Sequence, residues 1–224
     1  MKISASIYSN SKEKSLEQLV RELDAHNIDM LHIDCVDSPK VFDDIRAIKQ
    51  FSTTPIDLHI ISANPEQYIP LVEELGVEYV CFQYENLNSI PAVPENSITQ
   101  YGLAITSNTS IDVFEQVKDS YSFVMIMTTV PGMTGGVFSK DSLQKIIEFK
   151  HRYPKTQIEV DGGVNDQIAF ILRLLGVNAV VSGSYLLNHE SLGAGMLSLH
   201  KAPNSATKHA FSVGDFTTPL QYLP

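Results

Sequence analysis

The stretch His32-Ile33-Asp34 ends a short apolar run, and two further stretches repeat this arrangement, Ile56-Asp57-Leu58-His59 and Glu159-Val160-Asp161-Gly162-Gly163. Runs rich in Ile, Val and Leu are typical of strands buried on both faces. Side chains two residues apart on a strand point to the same side, so His32 and Asp34 face one way together. Two imidazoles and two carboxylates from three strand ends would suit zinc, iron or manganese better than calcium. The first hypothesis is therefore a metal-dependent enzyme.

Strand and helix patterns alternate outward from these stretches along most of the chain. Strands are predicted over residues 2–7, 30–35, 55–61, 79–84, 102–106, 123–128, 157–161 and 179–182. Helices are predicted over residues 15–26, 43–51, 65–75, 111–117, about 140–152 and 166–175. Such alternation calls for a parallel sheet with helical crossovers. We expect one domain, a closed (β/α)8 TIM barrel over residues 1–201, with an open doubly wound sheet as the alternative.

The alternation stops after Lys201, and residues 202–224 are predicted to form a polar C-terminal tail. The sequence does not decide whether this tail packs on the barrel, crosses to a neighbouring subunit or stays mobile. In such a barrel we expect the metal candidates all to fall at the carboxyl ends of the strands, where barrel enzymes build their active sites.

Composition limits the classes of partner. The hydrophobic fraction is 43% and the charged fraction 19%, which allows a sizeable core, and the net charge of -10 repels phosphate backbones. No apolar run has the length of a membrane span or a secretory signal. We therefore expect a cytoplasmic protein that binds neither nucleic acid nor membranes, with Cys35 and Cys81 as buried free thiols. A local amide-lined pocket could still hold a small phosphate ester.

Glycine-rich loops follow the last two predicted strands. They carry Gly162-Gly163 and Gly183-Ser184, and Gly135 lies in an earlier loop that also contains Pro131. Barrel enzymes commonly hold phosphate on backbone amides in the loops after the seventh and eighth strands. These loops therefore indicate phosphate binding without a basic side chain, although tight turns would explain the glycines equally well.

Seven stretches in order resemble the ribulose-phosphate 3-epimerase family, including relatives that act on other ketose phosphates, over roughly residues 2–190. The matching pieces are Ile3-Ser4-Ala5-Ser6-Ile7, His32-Ile33-Asp34, Asp57-Leu58-His59, Asn64-Pro65-Glu66-Gln67-Tyr68-Ile69, residues 127–132, Val160-Asp161-Gly162-Gly163-Val164 and Ser182-Gly183-Ser184. Their order and spacing also match the family.

The resemblance implies a set of site residues. One divalent metal ion, zinc, iron(II) or manganese, would be bound by His32, Asp34, His59 and Asp161, and the two aspartates would also be the catalytic acid and base. The substrate, a small-molecule sugar phosphate, would contact Ser6, His59, Gly135, Gly162, Gly163, Gly183 and Ser184. Assembly into a homo-oligomer is implied by the resemblance alone.

The expected chemistry explains why two carboxylates are needed. Inverting a carbon next to a ketone removes its proton on one face and returns a proton on the other, so an acid and a base must flank that carbon. The intermediate is an enediolate, whose negative charge a metal ion stabilises as a Lewis acid. The default substrate pair is D-ribulose 5-phosphate and D-xylulose 5-phosphate.

The sequence departs from the family pattern around the expected centre. Val36 and Ile61 replace methionines that the family places near the metal, Gln83 replaces a histidine after the fourth strand, and the loop after the second strand is shorter. Specificity depends on such surrounding contacts. Two alternatives therefore remain: the same chemistry on a six-carbon ketose phosphate such as D-allulose 6-phosphate, or a non-catalytic protein that binds a sugar phosphate.

Overall fold

The computed structural model describes residues 1–9, 14–133 and 136–201 of the protein. The predicted tail and Gly135 lie outside the described residues. Within the described part of the chain, no helix is both long enough and apolar enough to cross a membrane.

Eight parallel strands form a closed barrel in chain order, as the sequence predicts. The last strand pairs with the first, and each strand pairs with its neighbours in sequence. The strands are β1 Lys2–Ser6, β2 Met30–Val36, β3 Ile56–Ile61, β4 Tyr79–Gln83, β5 Gln100–Thr106, β6 Phe123–Met127, β7 Gln157–Asp161 and β8 Ala179–Ser182. This closure confirms the (β/α)8 barrel and excludes the open doubly wound sheet.

Helices connect the strands on the outside of the barrel. They are α1 Leu16–Ala25, α2 Val41–Ile48, α3 Ile69–Leu75, α4 Asp141–Arg152, α5 Asp166–Leu174, α6 Ser184–Leu187 and α7 Leu192–His200. The start of α1 is fixed by a capping box, in which Ser15 accepts a hydrogen bond from the Gln18 backbone and the Gln18 side chain accepts one from the Ser15 backbone.

Two predicted helices differ from the structure. The short helix predicted over 111–117 is a 3-10 helix, Ile111–Gln116, which begins at the cap Ser110. Only a short segment is available there, and short segments close with the tighter i to i+3 bonds. The helix predicted over 65–75 divides into a 3-10 turn, Pro65–Tyr68, and α3, with Pro70 in the first turn of α3, where its missing N–H is tolerated.

The inside of the barrel has a polar side and an apolar side. Alternation along each strand sends every second side chain inward. The apolar inner residues form one buried cluster of Cys81, Ala104, Phe123, Met125, Met127 and Val181. The buried polar residues of the strands are Ser4, Ser6, His32, Asp57, His59, Gln83, Glu159 and Ser182. Most of this polar group comes from β1 to β4, and Glu159 comes from β7.

Candidate active site and metal centre

The pairing of β2 with β3 brings three predicted metal ligands together. Asp34 is the direct partner of His59 across the two strands, and His32 lies two residues earlier on the same face as Asp34. Ligand atoms from the three side chains all lie within 4.8 Å of one another. Asp34 Oδ1 is 3.1 Å from His59 Nδ1 and 3.4 Å from His32 Nε2. Ligands around a tetrahedral zinc ion stand about 3.4 Å apart, so this group fits a small divalent cation.

Deeper side chains hold His32 in one orientation. Its Nδ1 lies 2.7 Å from Asp57 Oδ2, and the Ser4 hydroxyl donates a second hydrogen bond to the same oxygen at 2.7 Å. Nε2 of His32 is buried and has no hydrogen-bond partner among the described residues. A histidine that donates one N–H to a carboxylate and leaves the other nitrogen free is the usual arrangement of a metal-binding imidazole. The orphaned nitrogen therefore supports a cation site.

The charges of this group depend on one another. Burial lowers the pKa of His32, but the negative charge of Asp57 and the contact with Asp34 outweigh it and raise the pKa well above its usual range. Burial raises the pKa of Asp34, but the adjacent imidazoles of His32 and His59 outweigh it and hold the pKa well below its usual range. Asp34 is therefore ionised, and His32 lies in a negatively charged environment that would also favour a cation.

Asp161 stands on the other side of the barrel mouth. It ends β7, which β8 and β1 separate from β2, and it is not one of the three clustered ligands. Asp161 and Asp34 nevertheless line the same cavity. Burial raises the pKa of Asp161 to about 6; the positive charge of His32 opposes this rise and the negative charge of Asp34 adds to it. The two carboxyl groups thus have widely separated pKa values, as an acid and base pair requires.

The cavity between these aspartates has a volume of about 340 Å³ and extends to the glycine loops. Among the described residues no lysine or arginine lines it. Its walls are Ser6, Ser9, Asp34, Thr129, Gly132, Met133, Gly136, Asp161, Gly162, Gly163, Val164, Asn165, Val181, Gly183, Ser184, Tyr185 and Asn188. An anion in this cavity would depend on backbone N–H groups and hydroxyls, as the sequence indicates.

The glycines after β7 and β8 are required by close approach. Gly162 and Gly163 have φ values of +115° and +62°, which side chains rarely adopt. A Cβ on Gly162 would lie 2.4 Å from Thr129 Oγ1, and one on Gly183 would lie 2.4 Å from Ser9 Oγ. The Ser6 hydroxyl is 3.1 Å from that of Ser9. Backbone and hydroxyls therefore converge on one end of the cavity.

The loop after β6 closes over the other side of the mouth. Gly132 has φ +71°, and a Cβ there would lie 3.2 Å from Val36 Cγ2 and 3.2 Å from Ile61 Cδ1. Val36 is 56% exposed, whereas Ile61 is only 7% exposed. The two residues that depart from the family's methionines therefore form the floor on which this loop rests.

Several polar residues of the site have no assigned role in the sequence analysis. Asp57 supports His32, Gln83 Oε1 lies 2.8 Å from His59 Nε2, and Glu159 lies buried below Asp161. Burial, together with the charge of Asp57, raises the pKa of Glu159 well above its usual value. Asp57 and Glu159 each precede a predicted ligand by two residues, so strand alternation was the signal that could have placed them inside the barrel.

Comparison with known proteins places these features in a family. The sequence pattern of the Ribulose-phosphate 3 epimerase family matches residues 2–187. Ribulose-phosphate 3-epimerase from Helicobacter pylori is 28% identical over 204 residues, covering 83% of this chain and 90% of the relative. The Bacillus subtilis enzyme of that name is also 28% identical, covering 82% and 91%.

Solved structures share the fold at lower identity. 3-Hexulose-6-phosphate synthase from Salmonella typhimurium superposes with a TM-score of 0.64 at 14% identity, covering 89% of this chain and 96% of that chain. KGPDC from Streptococcus mutans gives a TM-score of 0.66 at 11% identity, covering 88% and 93%. At such identities the likeness concerns the barrel alone. The match to nearly the whole barrel, and the relatives that share it, decide the assignment: the chain belongs to the ribulose-phosphate 3-epimerase family and is an enzyme of the epimerase class.

Proposed function

We propose that the protein is a metal-dependent epimerase that inverts C3 of D-ribulose 5-phosphate to give D-xylulose 5-phosphate. The observation that carries this proposal is the placement of Asp34 and Asp161, which line one cavity from strands on different sides of the barrel mouth. The family supports epimerase activity on a pentose phosphate. The metal, the acid and base roles and the choice of sugar are the proposal.

The separated pKa values of the two aspartates support the proposed proton transfer. The carboxylate of Asp34 is ionised and can accept the C3 proton, while Asp161, with a pKa of about 6, more readily holds a proton to give to the opposite face. The roles exchange in the reverse direction.

His32, Asp34 and His59 would hold the divalent ion, and we propose Asp161 as the fourth ligand. A bound zinc, iron(II) or manganese ion would supply Lewis-acid stabilisation of the negative charge on the substrate oxygens. The fit rests on the three converging donors and on the unpartnered Nε2 of His32. Ser6, at the end of β1, lies in the same cavity and is proposed to contact the sugar.

The phosphate is proposed to bind at the glycine end of the cavity, on the backbone of Gly162, Gly163, Gly183 and Ser184. All four residues line the cavity, and the described lining contains no basic side chain. Backbone N–H groups of glycine-rich loops bind phosphate without one.

Gly183→Ala is expected to raise KM for the phosphorylated sugar about tenfold or more, with a smaller change in kcat. The new methyl group would fall 2.4 Å from Ser9 Oγ and 3.3 Å from Ser6 Cβ, inside the proposed phosphate site. The φ of Gly183 is −103°, outside the left-handed region that favours glycine. Steady-state kinetics would be compared with Gly193→Ala on α7, which lies outside the cavity lining. An unchanged KM in Gly183→Ala would place the phosphate elsewhere.

Solvent exchange tests the proposed reaction directly. The protein is loaded in turn with zinc, iron(II) or manganese and incubated in heavy water with D-xylulose 5-phosphate or D-allulose 6-phosphate, and NMR follows loss of the C3 proton. Exchange with the five-carbon sugar supports the proposal, and exchange with the six-carbon sugar alone assigns the activity to that substrate. A folded, metal-loaded protein that exchanges neither would be a non-catalytic relative.

A further inference from the structure

A row of polar side chains leads from the metal group to the surface between β4 and β5. Nε2 of His59 lies 2.8 Å from Gln83 Oε1, and the Gln83 amide nitrogen donates to the Glu85 carboxylate. His59 and Gln83 are completely buried, whereas Glu85 is exposed in the 3-10 turn after β4. No role in the proposed reaction has been given to Gln83 or Glu85.

Glu85 is held as a fixed acceptor. Its Oε1 accepts hydrogen bonds from the Thr106 backbone N–H at 2.8 Å, from the Thr106 hydroxyl at 3.0 Å and from the Thr109 hydroxyl. Although Glu85 as a whole is exposed, partial burial of its carboxylate raises the pKa, but these hydrogen bonds outweigh this effect and lower the pKa below its usual value. An ionised carboxylate can only accept hydrogen bonds. The partner opposite Glu85 must therefore be a donor.

This requirement orients the Gln83 amide. Its Nε2 faces two acceptors, Glu85 Oε2 and the Ala104 carbonyl oxygen at 3.5 Å, and a flipped amide would set its own oxygen against both. The amide oxygen therefore faces His59. Because that oxygen only accepts, the facing Nε2 of His59 must carry a hydrogen.

The same orientation leaves the other nitrogen of His59 for the metal group. Nδ1 points to Asp34 Oδ1 at 3.1 Å. His32 has the opposite arrangement, because its Nδ1 faces Asp57 and its Nε2 faces the group. Asp57 thus orients the imidazole of His32, and Gln83 orients that of His59. The two rings turn different nitrogens, Nε2 and Nδ1, toward the metal group.

We propose that Gln83 and Glu85 are positioning residues, which fix a hydrogen on Nε2 of His59 and so present Nδ1 as the metal-binding atom. This inference rests on the metal site of the proposed function. Partners behind a metal-binding histidine contribute about 10- to 100-fold to metal affinity. The effect of Gln83 should therefore be seen in metal binding itself, before any turnover.

The test measures zinc affinity by competition with a chromophoric chelator and reads the His59 nitrogens by 15N NMR in the zinc-loaded protein. The wild-type protein is expected to bind zinc through Nδ1 of His59, with a hydrogen on Nε2 of the same ring.

Gln83→Met, similar in length but without an acceptor, is expected to weaken zinc binding about 10- to 100-fold. Gln83→Glu should stay within about threefold of wild type, because its carboxyl group, protonated on the side of Glu85, still presents an acceptor oxygen to His59. Glu85→Gln should weaken binding about threefold to tenfold, because the Gln83 amide can then flip.

Glu95→Gln is the matched control, since it removes an exposed carboxylate from the same connection between β4 and β5. It should bind zinc like wild type.

Coordination through Nε2 of His59, or wild-type zinc affinity in both Gln83→Met and Glu85→Gln, would overturn the inference and leave the proposed function standing. Equal losses of zinc affinity in Gln83→Met and Gln83→Glu would also overturn the inference, because Gln83 would then act only through packing. If Gln83→Met does not fold, Glu85→Gln and the wild-type NMR decide. A wild-type protein that binds no zinc, iron(II) or manganese would overturn both proposals.

Discussion

Asp161→Asn is expected to reduce exchange of the substrate C3 proton by about 10³-fold or more. The amide keeps the shape of the side chain but can neither accept the proton nor return one. The raised pKa of Asp161, about 6, comes first from burial, so the group is prepared for proton transfer by its place in the barrel. The assay is loss of the C3 proton signal in heavy water with metal-loaded protein.

A matched control separates chemistry from folding in this experiment. Asp141→Asn makes the same change on an exposed residue in the first turn of α4 and should exchange at the wild-type rate. Both variants should unfold near the wild-type temperature. Exchange by Asp161→Asn at more than about a tenth of the wild-type rate would remove Asp161 from the proposed acid and base pair, since such groups contribute at least about 10²-fold.

Removal of divalent metal by a strong chelator is expected to lower kcat by about 10³-fold or more, because Lewis-acid stabilisation supplies several kcal/mol. Zinc, iron(II) or manganese should restore the activity. The same ion should raise the unfolding temperature, since a ligand that binds only the folded state stabilises it. Calorimetry therefore gives a second measurement that does not depend on turnover.

Two histidine variants make this experiment specific. His59→Gln removes a ligand from the clustered group and should show neither recovery of activity nor a rise in unfolding temperature with metal. His151→Gln changes an exposed residue of α4 and should recover like wild type. Full activity of the protein in the chelator would contradict metal dependence and leave the two aspartates as the whole of the catalytic machinery.

Much of the fold could be predicted because strand and helix patterns alternate with short connections. Each apolar run became a barrel strand, with ends displaced by a residue or two, as for β2, which extends to Val36. The segment Ile111–Gln116 shows a limit of the prediction, because its apolar spacing predicts a short helix but suits either helix type and does not identify the 3-10 form. The two-residue alternation that identified the strands does not tell which type of helix a short segment forms.

The residues of the candidate site that lie at strand ends could be predicted from the sequence. Register brings Asp34 beside His59, and the parallel barrel brings Asp161 to the same cavity, so both follow from sequence position. The supporting contacts could not be predicted. Whether Gln83 turns its oxygen or its nitrogen to His59 depends on the Glu85 carboxylate, which Thr106 and Thr109 at the end of β5 hold in place, and no periodicity reports such contacts.

The contact of Gly132 with Val36 and Ile61 makes these three positions interdependent. Val36 Cγ2 and Ile61 Cδ1 each lie 3.2 Å from the place of a Cβ on Gly132, so a side chain at position 132, or a longer one at the buried position 61, would crowd this part of the loop after β6. The substitution Ile61→Met alone would therefore not rebuild the side of the cavity mouth that the family has at this position. The contribution of each substitution depends on which of the others is already present, so exchange of substrate preference with a relative requires the whole loop and both strand ends to be transferred as one unit.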